Sequence, residues 1–577
     1  MGLSFRALAG CALCISSAFA QSQRPSAPLT PEQTIQEGLR RQEERSREQQ
    51  RLLEPRADEL KSDIGKPAAP SFPVDAQCFV IRELSLSEAS SARFGWLLDA
   101  ALPYLRRCVG VNGLSFIAAG MDAALRERGY TTSRVALPPQ SLESGRLTVH
   151  VDAGRVAEIR MVRPGPEKRP DEGWGTWRNA FPVSSGDLLD IRDLEQGVEN
   201  MKRLPSQVVA TRLEPGTQPG TSVIYIERRE STLRERVRGG VTLDNSGSDA
   251  LGRMQLQGNL AFDNPAGLND VVTVGLASNA QQPTSSHRSQ SANLGYSIPL
   301  GVNLLNLSAV RSRFAQYVQG TTLRFLSSGS SESIDARLSR TVWRTASSKL
   351  GVHGAVSTRR AFSYLDDTEV VVQRRRTTNF ETGVSYKHLF QSSSLDAELS
   401  LRRGMDWHNA QQDLVGAQEG GPTVRPRLWT LNASYTRDFQ VAGQGLQYAA
   451  TLRGQHTRNT TLAVDQIAIG GRSSVRGFDG QAVLLAESGY VWRNEFTTPL
   501  KVWPGVDAVG LVAIDYGRVW GPSDVLLTGQ QLAGLAIGLK GRMGMTYFDA
   551  TLATPLYRPD GFASRRLNFY LTLTQTF

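Results

Sequence analysis

Apolar and polar residues alternate one by one through most of the chain after Glu230. Met254, Leu256, Gly258, Leu260 and Phe262 interleave with Arg253, Gln255, Gln257, Asn259 and Ala261. Val272, Val274 and Leu276 interleave with Thr273, Gly275 and Ala277, and Trp429, Leu431, Ala433 and Tyr435 with Thr430, Asn432, Ser434 and Thr436. A period of two puts each set on one face of a β-strand, so every strand separates two unlike environments. A soluble sandwich does this too, because its outer face is wet. Two details favour a membrane barrel. The polar faces are mostly small or uncharged, with occasional arginines, as a wet lumen would be. The final residues also form such a strand, Phe569, Leu571, Leu573 and Phe577 facing one way and Tyr570, Thr572, Thr574 and Thr576 the other. Closure into a barrel removes exposed edges. The 342 residues from 236 to 577 allow sixteen antiparallel strands at ~10 residues per crossing plus a connection; twelve or eighteen strands also satisfy the arithmetic.

Ahead of the barrel the pattern is mixed. A strand at Cys78–Leu84, a helical stretch at Phe94–Leu105, and a second helix with Leu114, Ile117, Ala118, Met121 and Leu125 at helical spacing are followed by Gly129 as a stop. Strands Thr131–Leu137 and Arg146–Val151 complete the unit. The order then repeats: strand Val156–Met161, a helix near Trp174–Ala180, a helix marked by Ile191, Leu194, Val198 and Met201, and strands Val208–Leu213 and Ser222–Arg228. Two tandem α/β modules follow. Earlier still, residues 30–56 predict one helix: Thr30 caps it, Pro31 suits its first turn and Gln33 completes a capping box. Six arginines and six glutamates lie between Glu32 and Arg56, so it lacks an apolar stripe and is polar all round. The predicted divisions are a signal at 1–20, the helix region at 21–56, a linker at 57–73, modules at 74–154 and 155–230, and the barrel at 231–577.

Composition narrows the class. Arg6, the apolar run Ala7–Ser17 and Ala18-Phe19-Ala20 before Gln21 read as a secretory signal. Cys11 follows Arg6 too closely for a lipoprotein signal. Beyond the signal only Cys78 and Cys108 remain, and an isolated pair in an exported chain points to one disulfide, two packed free thiols being the alternative. Two thiols without a nearby histidine do not complete a metal shell. The net charge of +10 comes from arginines spread along the chain, not from dense basic clusters with interleaved aromatics, so a basic lumen or anionic lipid explains it better than nucleic acid does. The six histidines (His150, His287, His353, His388, His408, His456) show no ligand spacing. Gly471-Arg472-Ser473-Ser474-Val475 lacks the final glycine of a nucleophile elbow. No catalytic, metal or cofactor site is expected, and no enzyme.

These pieces resemble the two-partner secretion transporters (TpsB family), which export filamentous haemagglutinins, haemolysins and contact-dependent inhibition toxins. The likeness runs through Gly129-Tyr130-Thr131-Thr132-Ser133-Arg134-Val135, Pro139-Gln140 and Ser144-Gly145-Arg146-Leu147 in the first module. In the second it runs through Asp193-Leu194-Glu195-Gln196-Gly197-Val198-Glu199-Asn200, Arg203-Leu204-Pro205-Ser206 and Glu214-Pro215-Gly216, both modules matching that family's POTRA pattern. Leu243-Asp244-Asn245-Ser246-Gly247 and Gly267-Leu268-Asn269-Asp270 are similar to its first barrel strands and turn. Val475-Arg476-Gly477-Phe478, in the glycine- and serine-rich stretch Gly470–Gly480, matches the loop that folds back into the barrel in this superfamily. The resemblance implies that Arg476 meets an acidic residue on the inner wall, for which Asp515 in Ile514-Asp515-Tyr516-Gly517 is the best match, and that such a pair latches the loop.

The resemblance further implies a Gram-negative outer-membrane transporter with periplasmic POTRA modules. The modules would catch one large unfolded secreted exoprotein, of the TpsA type, by strand addition or in a helix–strand groove, with Leu188, Ile191, Leu194, Val198 and Val208 as the candidate surface. Helix 30–56 would plug the lumen and leave during export. Phe569, Leu571, Leu573 and Phe577 would form the signal read by barrel-assembly machinery, and outer-membrane lipid and lipopolysaccharide would surround a monomeric barrel. The cysteine pair and the second-module match lean towards the haemolysin-type branch, which includes transporters that also activate their cargo. A related barrel insertase, which usually has more modules, and a secreted β-rich adhesin are the alternatives.

Overall fold

The computed structural model describes residues 60–61, 71–229, 231–281, 283–319, 323–501 and 504–577. The signal at 1–20, the helix at 30–56 and most of the linker at 57–73 lie outside the described residues.

The first module has a three-stranded sheet with Arg146–Asp152 at its centre, parallel to Glu83–Leu86 and antiparallel to Arg134–Ala136. Leu147, Val149 and Val151 alternate onto the buried face, where Leu97, Met121 and Leu125 meet them. Helix α1 (Glu88–Phe94) gives way to short 3-10 turns at Gly95–Ala100 and Leu102–Tyr104. The single helical stretch expected at Phe94–Leu105 is therefore broken; Pro103, with no N–H to give, sits in the second turn. Helix α2 (Val111–Glu127) buries Ile117, Met121 and Leu125 and stops at Gly129, whose φ is +104°. The strand expected at Cys78–Leu84 is split. Phe79–Val80 pairs with Cys108–Val109, and only Glu83–Leu86 joins the sheet. Cys78 and Cys108 are bonded in that side ribbon, their Cα atoms 5.2 Å apart.

The second module repeats the plan, with Thr221–Arg229 central between Arg155–Val162 and Val208–Pro215. Helix α3 (Ile191–Lys202) is capped by Asp190, whose side chain accepts from the Arg192 N–H, and buries Leu194, Val198 and Met201. No helix forms at Trp174–Ala180. That segment instead bonds to the barrel: Trp174 Nε1 donates to the Asn264 carbonyl, and Asn179 Nδ2 to the carbonyls of Leu268 and Pro299.

A short capped turn, α4 (Leu233–Arg236), leads into a closed barrel of sixteen crossing strands, from Val237–Asp244 to Asn568–Thr576. Neighbours are antiparallel, and the last strand pairs with the first from Thr572↔Asp244 to Thr576↔Gly240. Side chains such as Leu256, Leu276, Trp429, Val512, Ile514, Phe569 and Leu573 stand exposed on the outer wall. So large an apolar surface is stable in lipid and not in water. Inside, the wall carries Ser, Thr, Asn, Arg and Glu.

The module side of the barrel holds the second module firmly. The polar face of α3 meets the turns of the wall: Glu199 accepts from Arg344 Nη1 at 2.7 Å and from Lys349, and Gln196 Oε1 accepts from the same Arg344 Nη1 at 3.2 Å. Asn200 Nδ2 donates to the Gly301 carbonyl at 2.7 Å, and Arg203 to Ser297. Glu199, Gln196 and Asn200 are buried as a result.

Candidate functional site

The connection between the eleventh strand (Gln444–His456) and the twelfth (Ser488–Leu500) does not extend outward. It carries a short antiparallel pair, Ile467–Ile469 with Leu484–Ala486, and its tip turns down against the inner wall. Ile467, Ile469, Val475, Phe478 and Leu484 form a small apolar core with Val491, Val519 and Leu532 of the wall, and Phe478 packs edge-on to Phe562 at 5.7 Å. The wall is shaved to receive it. A Cβ on Gly534 would stand 1.6 Å from the Arg476 carbonyl oxygen, and one on Gly517 would stand 2.9 Å from both Ile469 and Val475. Gly477 itself has φ +111° and abuts the Thr554 carbonyl, so a side chain there is excluded twice.

Arg476 is buried at the tip. Its Nε and Nη2 donate to the two oxygens of Asp515, each at 2.7 Å, and its backbone N–H adds a third bond to Oδ2 at 3.0 Å. Asp515 sits on the thirteenth strand (Val506–Trp520), where Val512, Ile514 and Arg518 face out and Ala513, Asp515 and Gly517 face in. The fourth arm reaches further: Arg476 Nη1 donates to Glu495 Oε2 at 2.5 Å, and Lys540 holds the other oxygen of Glu495 at 2.5 Å. Arg493 Nε lies 3.7 Å from Asp515 Oδ2. Tyr570 and Asn568 of the last strand complete the seat. The Tyr570 hydroxyl accepts from the Gly477 N–H and donates to the Phe478 carbonyl, while Asn568 Nδ2 donates to the Gly477 carbonyl at 2.6 Å. The latch borders an internal cavity of about 570 Å³.

Val475, Arg476, Gly477, Phe478 and Asp515 thus lie together. Glu495, Lys540, Tyr570 and Asn568 were not foreseen. Trp492 and Phe496 facing lipid would have turned Arg493 and Glu495 inward, but the depth reached by the tip is not written in any strand. Phe569, Leu571, Leu573 and Phe577 occupy the outer face of the last strand, exposed or half-exposed.

The candidate partner surface needs correcting. Leu194 and Val198 point into the second module's own core and Ile191 packs on its edge, because these are the apolar positions of a helix with one face to bury. Leu188 packs against the first module's core. Of the five, Val208 alone is exposed, at the start of the edge strand Val208–Pro215. The other face of α3 is taken by the barrel.

His353, Glu381 and Glu398 come together from three neighbouring strands, which spacing along the chain could not show. Arg337 already occupies that cluster, donating to Glu398 at 2.9 Å with its Nη2 3.1 Å from His353 Nδ1, so a cationic side chain stands where an ion would have to sit.

Two tandem POTRA-like modules fixed to a sixteen-stranded barrel, with an arginine-latched loop inside it, define an outer-membrane transporter of the two-partner secretion class. The chain belongs to the haemolysin secretion/activation protein ShlB/FhaC/HecB family, whose model matches residues 220–541. A ShlB-type POTRA domain matches residues 79–154 and a second POTRA domain residues 156–215. The outer membrane transporter CdiB-2 of Burkholderia pseudomallei (strain 1026b) is 36% identical over 549 residues, 92% of each chain. The hemolysin transporter protein ShlB of Serratia marcescens is 24% identical over 492 residues, 84% of each. The solved structure of CdiB from Escherichia coli superposes with a TM-score of 0.81 at 27% identity, covering 96% of this chain and all of that one. The barrel lies in the outer membrane with its modules in the periplasm, and its relatives are transporters, not enzymes. Relatives of the CdiB type and of the ShlB haemolysin-transporter type both match the chain.

Proposed function

We propose that this transporter takes one large unfolded exoprotein from the periplasm at the open edge of Val208–Pro215 and passes it through the lumen once the inward loop leaves its seat. A strand laid on that edge gains main-chain hydrogen bonds that any sequence can make, which suits an unfolded cargo. The observation that carries the reading is the seat of Arg476. Its guanidinium bridges carboxylates on two strands inside the barrel, an arrangement that holds a loop across a passage and has no place in a barrel that only anchors a domain. The cargo is a large secreted exoprotein of the kind that CdiB-type or ShlB-type transporters carry. The last strand, with Phe569, Leu571, Leu573 and Phe577, engages the barrel-assembly machinery. The barrel works as a monomer against lipid and lipopolysaccharide, because closure leaves no strand edge for a second copy.

The test is secretion of the large exoprotein this transporter exports, sought first among neighbouring genes, compared in wild type, a deletion strain and Arg476→Ala, with barrel abundance in the outer membrane measured alongside. Loss of secretion on deletion, and with Arg476→Ala at normal abundance, supports export and a working latch. Normal secretion without the gene removes the cargo assignment. Normal secretion by the point variant alone removes the latch.

A further inference from the structure

Glu487 is fully buried where the inward loop rejoins the wall, one residue before the twelfth strand. Its Oε2 accepts from the Ser523 backbone N–H at 3.1 Å, and its Oε1 accepts from Gln466 Nε2 at 3.1 Å and from the Ser523 hydroxyl. All three donors are neutral. Gln466 Nε2 also donates to Ser523 Oγ at 3.2 Å, which ties the other leg of the loop to the same serine. Gln455 Nε2 draws the legs together, donating to the carbonyls of Asp465 at 2.7 Å and Glu487 at 2.9 Å. Ser523 belongs to the connection between the thirteenth strand and the fourteenth (Gln531–Met543), at the end of the barrel away from the modules. Gly521, at φ +145°, leaves the room: a Cβ there would stand 2.5 Å from Glu487 Oε2.

A carboxylate shut away from water among neutral donors is tolerable only while those donors stay in place. The tip latch does not need it, because Arg476 satisfies its charge with Asp515 and Glu495. We propose that Glu487 is a positioning residue that pins the stem of the inward loop to the 521–530 connection, so that the loop is held at two points and both must let go for cargo to pass. This rests on the reading that the loop moves during export. Releasing the tip alone leaves the short pair Ile467–Ile469 and Leu484–Ala486 seated on the wall, with Ile467 over Gly489 and Ile469 over Gly517. The pin works by acceptance only. A glutamine at 487 would turn one oxygen into a donor facing donors.

Two arms test it. Full-length E487Q reconstituted in planar lipid bilayers should spend about tenfold more time open than wild type while keeping its heat-modifiable gel mobility. An unchanged open fraction in a barrel that keeps that mobility overturns the pin. In the second arm, Q466C/S523C is joined on intact cells with a reducible bis-methanethiosulfonate; Cys78 and Cys108 are already bonded to each other. Exoprotein secretion should fall about tenfold relative to the same cells before linking, and recover on reduction. Undiminished secretion after complete linking overturns the proposal, even where E487Q fails to assemble. Failure of the wild type to secrete would instead remove the export reading beneath it.

Discussion

Arg476 touches carboxylates on two different strands, and that reach governs what each substitution does. Lysine keeps the charge but is a point donor on a flexible stem, unable to fork across Asp515 and span to Glu495 together. Arg476→Lys should therefore export nearly as poorly as Arg476→Ala, as measured by exoprotein in the medium at matched barrel levels. The carboxylates should not be equal either. Asp515 is fully buried and takes three bonds from Arg476, whereas Glu495 takes one and shares itself with Lys540. Breaking a buried pair from one side costs about 3–5 kcal/mol. Asp515→Asn should expose the loop to added protease in intact cells far more than Glu495→Gln, and equal cleavage of the two would place the hold in the apolar seat instead. At this scale the sequence carried Val475-Arg476-Gly477-Phe478 and Asp515 because they form a local motif and its matching strand. It could not carry Tyr570 or Gly534, whose relevance begins only when the barrel closes and brings the last strands beneath the tip.

The start of helix α3 sets two electrostatic demands against each other. Its free N–H groups favour an anion, as the Asp190 cap shows. Yet Asp193, in the first turn, has its carboxyl pushed up to about 6, chiefly by burial and then by Asp190 and Asp187 nearby. A raised carboxyl pKa means that the folded module binds a proton the unfolded chain has already released above the ordinary value of 3.8. The stabilisation is complete below that value and is lost as pH rises through about 6. Asp193→Asn should thus slow amide exchange in the second module at pH 7.5 and leave it unchanged near pH 4, in the full-length protein; equal slowing at both would mean that packing, not charge, is responsible. In the first module the bridge between Cys78 and Cys108 closes a separation of 30 residues. Removing it as Cys78→Ser/Cys108→Ser should cost the module about 3–4 kcal/mol by loop-closure entropy, read as faster exchange confined to residues 79–152. Elements were legible wherever one period dominated, as in the alternating barrel strands and in α2. They were misread at Trp174–Ala180, where side chains that look helical are spent on turns of the wall, and at Cys78–Leu84, where one extended run feeds two sheets.

Gln196, Glu199, Asn200 and Arg203 have the composition of a solvated helix face, and their place in a POTRA-like motif does not say what they touch. In the assembled molecule they are the joint between arm and barrel. The linker arrives at the same place: the Lys61 N–H donates to the Ala346 carbonyl at 2.7 Å, and its ammonium lies 3.7 Å from Glu195. A strand captured on Val208–Pro215, as proposed above, would thereby be held at a fixed distance from the pore, and force on the arm would be delivered to the turns of the wall. Glu199 is the charge centre of this joint, because Arg344 and Lys349 both end on it. Glu199→Gln would leave Lys349 without its anion and Arg344 with only the longer ionic contact to Glu195 at 3.8 Å, while Arg344→Ala would leave Glu199 still paired with Lys349. The first should loosen the joint more, although the neutral bonds from Asn179 and Asn200 to wall carbonyls keep the arm attached. Spin labels on the second module and on a wall turn should show a broader distance distribution in Glu199→Gln than in Arg344→Ala, together with slower secretion at unchanged barrel assembly. If distances stay narrow in both, the neutral bonds alone fix the arm, and the buried charges serve only to exclude wrong docking geometries.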